Sequence, residues 1–210
     1  MINLNQLSES LQKGDAQQVK ELVQQGLDQN MEAKDILDKG LLKGMNVIGE
    51  KFKNNEVYVP EVLIAARAMH AGLDILSPVL VSKGVKNMGR IVIGTVQGDL
   101  HDIGKNLVSI MFKGAGFEVI DLGTDISKEQ FIEKVREHHP RILGMSALLT
   151  TTMVNMKGVI DDLEKANLRS QVKVMIGGAP LSQQYADEIG ADVYAPDASS
   201  AADEAKKLVG

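Results

Sequence analysis

The sequence contains no cysteine. Disulfide bonds, thiolate nucleophiles, iron–sulfur clusters and cysteine-rich zinc sites are therefore excluded. Tryptophan is also absent, and aromatic residues make up only 3% of the 210 residues. This scarcity disfavours the stacking platforms on which proteins bind single-stranded nucleic acid.

Positive charge is not in excess, since 23 basic residues face 28 acidic ones and the formal net charge is −5. No basic run stands out, so we expect no nucleic-acid partner. The first residues, Met1–Leu7, lack the basic start and apolar run of a signal peptide. No stretch reaches the roughly 18 apolar residues of a membrane helix. We therefore expect a cytoplasmic protein without a membrane partner.

Residues 1–88 show helical periodicity. One apolar stripe repeats every three or four residues for five turns, which is typical of an amphipathic helix facing a core. The pattern predicts four helices, near 3–12, 15–27, 32–52 and 60–80, that form a small bundle. The stripe consists of Val62, Ala66, Met69, Leu73, Leu76 and Leu80.

The hydrophobic pattern changes at Lys86–Gly89. After this point, short apolar runs alternate with amphipathic segments. Five such units predict a parallel sheet covered by helices on both faces, a Rossmann-like (flavodoxin-like) α/β domain. We therefore expect a bundle domain at 1–88 and an α/β domain at 89–210. Sheets of this kind bind ligands beyond the carboxyl ends of their strands. The predicted strands are 91–96, 117–122, 142–146, 172–176 and 192–195.

His101 follows the first predicted strand, between Asp99 and Asp102 and before Gly104. An imidazole there can bind a metal while a carboxylate holds its other ring N–H, and either acid is a candidate for that role. The loop lacks the glycine patterns of phosphate-binding loops, and its acids would repel phosphate. No other histidine or cysteine completes a zinc set. A lone histidine favours a cofactor that supplies the other metal ligands, such as a macrocycle.

Three further loops contain hydroxyl groups or small residues after a predicted strand. Ser146–Thr152 could cap the next helix or bind a ligand or carboxylate, and Gly177–Pro180 leaves backbone uncovered. Tyr194–Ser200 could wall a narrow slot. Each loop alone is ambiguous, but their common position at one edge of the sheet favours ligand contact.

The order Asp99-x-His101-x-x-Gly104, Ser146-x-Leu148 and Gly177-Gly178 resembles the D-x-H-x-x-G, S-x-L and G-G signature of cobalamin-binding proteins. The stretch 94–106 is similar to methionine synthase and to the corrinoid proteins of methyltransferase systems. The resemblance implies that His101 is the lower ligand of cobalt, with Asp99 and then Ser146 behind it as a catalytic relay. The implied contacts to cobalamin, or to a related corrinoid such as methylcobalamin, are Gly98, Asp99, Leu100, His101, Asp102, Ile103, Gly104, Ser146, Leu148, Thr150, Gly177, Gly178 and Ala198.

The bundle also resembles this family, because 45–52 and 57–63 are similar to the helical cap that covers the upper corrin face. Three functions share the signature: a methyl carrier, an adenosylcobalamin mutase subunit and a cobalamin-sensing regulator. The bundle favours the carrier, which serves methyltransferases rather than acting as a complete enzyme. The resemblance implies a donor-side methyltransferase (for a methylamine, betaine, methanol or aryl methyl ether), an acceptor-side methyltransferase (for tetrahydrofolate or coenzyme M) and a reductive activase.

Overall fold

The structure, a computed structural model, describes residues 2–83 and 88–209. These residues form two compact units: residues 2–83 with 114–116, and residues 88–113 with 117–209. The change of hydrophobic pattern at Lys86–Gly89 falls partly on residues 84–87, which lie outside the described ranges.

The first unit is built from helices, and the predicted helical bundle is confirmed. Its first two helices begin where a side chain accepts a hydrogen bond from an exposed helical N–H: Asn3 from the N–H of Asn5, and Asp15 from the N–H of Gln18. The elements are α1 (Leu4–Gln12), α2 (Ala16–Asp28), α3 (Ala33–Asp35), a π-helix (Ile36–Leu42), α4 (Lys43–Lys53) and α5 (Val59–Ser82). The segment from α3 to α4 corresponds to the single helix predicted near 32–52.

Helix α5 supplies much of the bundle core, because Val62, Met69 and Leu76 of its apolar stripe are buried. The sequence predicts no stretch of roughly 18 apolar residues, but one helix has the length and hydropathy needed to cross a membrane. Among the described residues, Val59–Leu80 is long and apolar enough to do so by length and composition. Core helices of folded domains pass the same test, and the burial of the stripe accounts for the apolar composition of α5.

The second unit is a five-stranded parallel sheet, as the sequence predicts, and its strand order is β2-β1-β3-β4-β5. Each strand is followed by a helix, as alternating β/α units require. The strands are β1 (Arg90–Thr95), β2 (Glu118–Asp121), β3 (Ile142–Ser146), β4 (Lys173–Gly177) and β5 (Val193–Ala195). The helices are α6 (Ile103–Gly114), α7 (Lys128–His138), α8 (Thr150–Met153), α9 (Asn155–Lys165), α10 (Gln183–Ile189) and α11 (Ala198–Val209), with a 3-10 turn at Arg169–Gln171.

The register of the sheet aligns the ends of four strands. Ser146 pairs with Thr95 on one side and with Gly177 on the other, and Gly177 pairs with Ala195. In this strand order the connections turn in opposite directions between β1 and β3, which is where such sheets open a crevice. The loops after these two strands therefore start at adjacent points of the crevice.

Candidate functional site

His101 lies in the loop between β1 and α6, directly after the central strand. Its side chain is 51% exposed, whereas the side chain of Asp99 is completely buried. The imidazole Nδ1 lies 2.7 Å from Asp99 Oδ1, and the same oxygen accepts the backbone N–H of His101 at 3.0 Å. One buried carboxylate oxygen therefore fixes both the backbone and the ring of His101.

The other carboxylate oxygen of Asp99 is held by the loop after β3. Asp99 Oδ2 accepts the hydroxyl of Thr152 at 2.7 Å and the backbone N–H groups of Leu148 and Leu149 at 2.8 and 3.3 Å. Burial raises the pKa of Asp99, but the hydrogen bonds from Thr152, Leu148 and His101 together outweigh it and hold the pKa well below its usual range. Asp99 is therefore ionised at neutral pH.

An ionised carboxylate only accepts hydrogen bonds, so the Nδ1 atom of His101 must carry the ring proton. In the neutral imidazole the Nε2 atom then keeps its lone pair, which is the state that binds a metal. The half-exposed ring of His101 thus offers one nitrogen donor, Nε2, and the hydrogen bond to Asp99 fixes the tautomer of the ring.

The structure assigns one contact differently from the sequence prediction, and it decides between the two acids that were candidates to hold the ring of His101. The hydroxyl behind Asp99 belongs to Thr152 and not to Ser146, because Ser146 is still paired within β3 while α8 turns Thr152 back over the carboxylate. Asp102 is exposed and accepts Asn106 Nδ2 at 3.1 Å at the start of α6, so the partner of His101 is Asp99. The sequence pointed to the loop that holds Thr152, but hydroxyls at several positions did not show which one reaches Asp99.

The surface next to His101 is unusually apolar for an exposed loop. Leu100, Ile103 and Leu148 are 72%, 80% and 44% exposed. A side chain at Gly104 would meet no atom within 4 Å, so the backbone there is open. Exposed apolar clusters of this kind commonly mark a binding site.

The described residues contain no group of three or more histidine, cysteine, aspartate or glutamate side chains that could hold a metal ion. One nitrogen donor surrounded by exposed apolar side chains instead fits a large cofactor that carries its metal and most of its ligands. The residues present therefore fit the cofactor class that the lone histidine predicts.

The remaining predicted contacts lie at the carboxyl ends of the other strands. Gly178 has φ +137°, and a Cβ there would lie 1.8 Å from the carbonyl oxygen of Ala147. Glycine at this position thus allows the chain to approach its own backbone. Gly98 and Thr150 are exposed, Gly177 is half-buried, and Ala198 at the start of α11 is buried.

Comparison with known proteins identifies the family of the chain. Residues 89–206 and residues 4–77 each match a B12 binding domain family. The chain is 46% identical over 210 residues to a corrinoid protein of Desulfitobacterium hafniense, covering 99% of this chain and 97% of that one. It is 41% identical over 194 residues to trimethylamine corrinoid protein 2 of Methanosarcina mazei, covering 91% of this chain and 89% of that one.

A solved structure shows the same fold. The methanol:cobalamin methyltransferase complex MtaBC from Methanosarcina barkeri matches with a TM-score of 0.85 and 28% identity, covering 97% of this chain and 78% of that chain. With the B12 binding domains and the corrinoid relatives, this chain belongs to the corrinoid proteins of methyltransferase systems, and its cofactor is a corrinoid.

Proposed function

We propose that this chain carries methyl groups between two methyltransferases and that His101 is the lower axial ligand of its cobalt. The observation that carries the proposal is the half-exposed imidazole of His101, whose Nδ1 atom lies 2.7 Å from the buried carboxylate of Asp99. When bound, the corrinoid supplies a cobalt atom that can hold a methyl group. The protein supplies the fifth ligand, its orientation and its protonation state.

The other residues of the site have separate roles in this proposal. Asp99 holds the proton at Nδ1 of His101, and the hydroxyl of Thr152 holds Asp99. The exposed side chains of Leu100, Ile103 and Leu148 would contact the macrocycle, and Gly104 leaves room for it. Gly98, Asp102, Ser146, Thr150, Gly177, Gly178 and Ala198 are proposed as further contacts to the cofactor or its tail.

A methylamine is the donor that the comparisons favour. The relative named for trimethylamine is 41% identical to this chain, whereas the chain of the methanol complex is 28% identical. The proposed partners are a methylamine methyltransferase, an acceptor methyltransferase that uses tetrahydrofolate or coenzyme M, and a reductive activase. The proposed location is the cytoplasm.

Axial ligation can be tested by electron paramagnetic resonance. The protein is labelled with ¹⁵N-histidine and loaded with unlabelled cob(II)alamin. If His101 binds cobalt, the nitrogen splitting changes from a triplet to a doublet, because the ligand nitrogen then comes from the protein. The change should be absent in His101→Ala and present in His138→Ala. A triplet in the labelled wild type would overturn the ligand assignment.

The donor can be tested with the loaded protein and separate methyltransferases for trimethylamine, dimethylamine, monomethylamine and methanol. We expect methylation of the corrinoid, followed by its absorbance spectrum, with one of the three methylamine enzymes. Methylation with the methanol enzyme alone would contradict the proposed donor while leaving the ligand assignment intact.

A further inference from the structure

Thr95, the last residue of β1, contacts the His101 loop from inside the sheet. Thr95 is completely buried, and its hydroxyl donates to the backbone carbonyl of His101 at 3.0 Å. Its backbone is also fixed, because the N–H donates to Gly123 and the carbonyl accepts the N–H of Ile126. The hydroxyl is therefore presented to His101 from a rigid position.

Asp125 contacts the same loop from the neighbouring loop after β2. Its Oδ1 atom accepts the N–H of Gly98 at 2.7 Å, and its own N–H donates to the carbonyl of Asp99 at 3.0 Å. Asp125 has φ +57°, a left-handed conformation that aspartate tolerates better than most residues. This conformation lets one residue present a donor and an acceptor to the loop.

These contacts hold the backbone of the His101 loop, which the Asp99–His101 pair cannot do alone. The carboxylate of Asp99 fixes the ring of His101 only while the backbone of both residues is held in place. Thr95 and Asp125 contact the backbone at positions 98, 99 and 101, on either side of the carboxylate. A ligand must be held within about 0.5 Å of its productive position, so small loop shifts matter.

We propose that Thr95 and Asp125 are positioning residues that fix His101 for axial ligation. The inference rests on the proposed role of His101 as the cobalt ligand. Neither residue needs to touch the cofactor, since each acts through the backbone of the loop. Loss of either contact should reduce cofactor affinity about tenfold, the lower end of the range seen when partners behind a metal ligand are removed.

The hydroxyl of Thr95 can be removed with little change of shape. Thr95→Val keeps the branched side chain, which suits a buried strand position, whereas Thr95→Ser keeps the hydroxyl. Asp125→Gly keeps the left-handed backbone and removes the carboxylate. The matched control is Ser109→Ala, because Ser109 is also buried in the same unit but its hydroxyl has no hydrogen-bond partner among the described residues.

Two measurements are made on each variant. The first is the ¹⁵N shift of the His101 ring in the cofactor-free protein, assigned with His101→Ala, which reports the tautomer and the fixing of the ring. The second is a titration with hydroxocobalamin followed by absorbance. In Thr95→Val and Asp125→Gly we expect the ring shifts to move towards a mixture of tautomers and affinity to fall about tenfold. Thr95→Ser and Ser109→Ala should resemble wild type in both measurements.

The inference is wrong if Thr95→Val and Asp125→Gly keep the wild-type ring shifts and affinity while the ¹⁵N doublet of cob(II)alamin is present in the labelled wild type and absent in labelled His101→Ala. The proposed function would then stand without it. If ¹⁵N-labelled His101→Ala shows the same doublet as the labelled wild type, the proposed role of His101 fails, and the inference fails with it. If Thr95→Val does not fold, Asp125→Gly decides: unchanged ring shifts in that variant overturn the inference.

Discussion

The two units of this chain both expose large apolar side chains, but they do so in different surroundings. In the helical unit, Tyr58, Leu63 and Ile64 are exposed at the start of α5. In the sheet unit, Leu100 and Ile103 are exposed beside a histidine whose ring is fixed by a buried carboxylate. An apolar surface identifies a place of contact, whereas the hydrogen-bonded imidazole also identifies the chemistry of the ligand.

The helical unit also carries an open groove of about 890 Å³, lined in part by Leu4, Met31, Lys43 and Val47. None of the predicted site residues lines this groove. The groove and the proposed cofactor site therefore belong to different units of the chain. The following predictions compare the two units in stability and in cofactor binding.

The largest expected effect comes from the backbone of the sheet unit. Gly178→Ala would place a Cβ 1.8 Å from the carbonyl oxygen of Ala147 at φ +137°, so the loop after β4 must move. We expect the free energy of unfolding in urea to fall by about 3 kcal/mol or more. Gly190→Ala is the control, since it has φ +80° but meets no atom within 4 Å. Equal losses in both variants would show that the close approach at Gly178 is unimportant.

The next prediction compares one exposed leucine from each unit. Leu100→Ser should weaken hydroxocobalamin binding about tenfold, because it removes apolar surface that the macrocycle would cover. Leu63→Ser in α5, within the segment that resembles the helical cap, should weaken binding less, by about threefold at most, because the proposed cobalt ligand belongs to the sheet unit. Both residues are exposed, so urea unfolding should change little in either variant. Equal losses of affinity would mean that the helical unit contacts the cofactor as strongly as the sheet unit does.

The sequence predicted the strands and helices well, because their hydrophobic periods are regular. The sequence also predicted that His101, Asp99, Ser146 and Gly178 lie at one edge of the sheet, because the carboxyl ends of parallel strands meet there. It could not choose Thr152 over Ser146, because that depends on how α8 turns back over the carboxylate. Sequence patterns predict where a loop begins, but not which of its hydroxyls faces inwards.

The sequence did not single out Thr95 and Asp125, the two residues that hold the His101 loop, for a related reason. Thr95 looks like an ordinary strand residue, and its hydroxyl becomes informative only when the carbonyl of His101 is found 3.0 Å away. Asp125 looks like a turn residue, yet both its carboxylate and its N–H reach the neighbouring loop. Such contacts join separate loops and leave no periodic trace in the sequence.

A smaller effect separates binding from folding within α6. Gly104→Ala adds a methyl group where no atom lies within 4 Å. The free energy of unfolding should therefore be unchanged or higher by up to about 0.5 kcal/mol. Hydroxocobalamin affinity should nevertheless fall about tenfold if the cofactor lies against Gly104. Gly158→Ala in α9 is the control, because its Cβ would make an ordinary contact with Lys128 at 3.8 Å. An unchanged affinity in Gly104→Ala would place the macrocycle elsewhere.

The smallest expected effect concerns Asp192, which stabilises the sheet unit away from His101. Its carboxylate accepts the N–H of Val174 at 2.8 Å and pairs with Arg169 and Lys173 at 2.8 and 3.1 Å. Burial raises the pKa of Asp192, but these contacts outweigh burial and lower the pKa overall. Asp192→Asn should therefore lower the free energy of unfolding at pH 7 by about 1 kcal/mol.

The pH dependence gives this last prediction its sign. Because the pKa of Asp192 is lower in the folded chain than in the unfolded chain, the stabilisation is fully present above the unfolded pKa of about 4 and is lost as the pH falls through the folded pKa. The difference between wild type and Asp192→Asn should thus be constant from pH 7 to pH 5 and shrink below pH 4 in urea titrations. Asp35→Asn is the control from the helical unit, where Asp35 pairs with Lys39 at 3.0 Å on the surface, and it should change stability little at pH 7. A difference that persists undiminished in acid would show that the side chain of Asp192 acts through its shape rather than its charge.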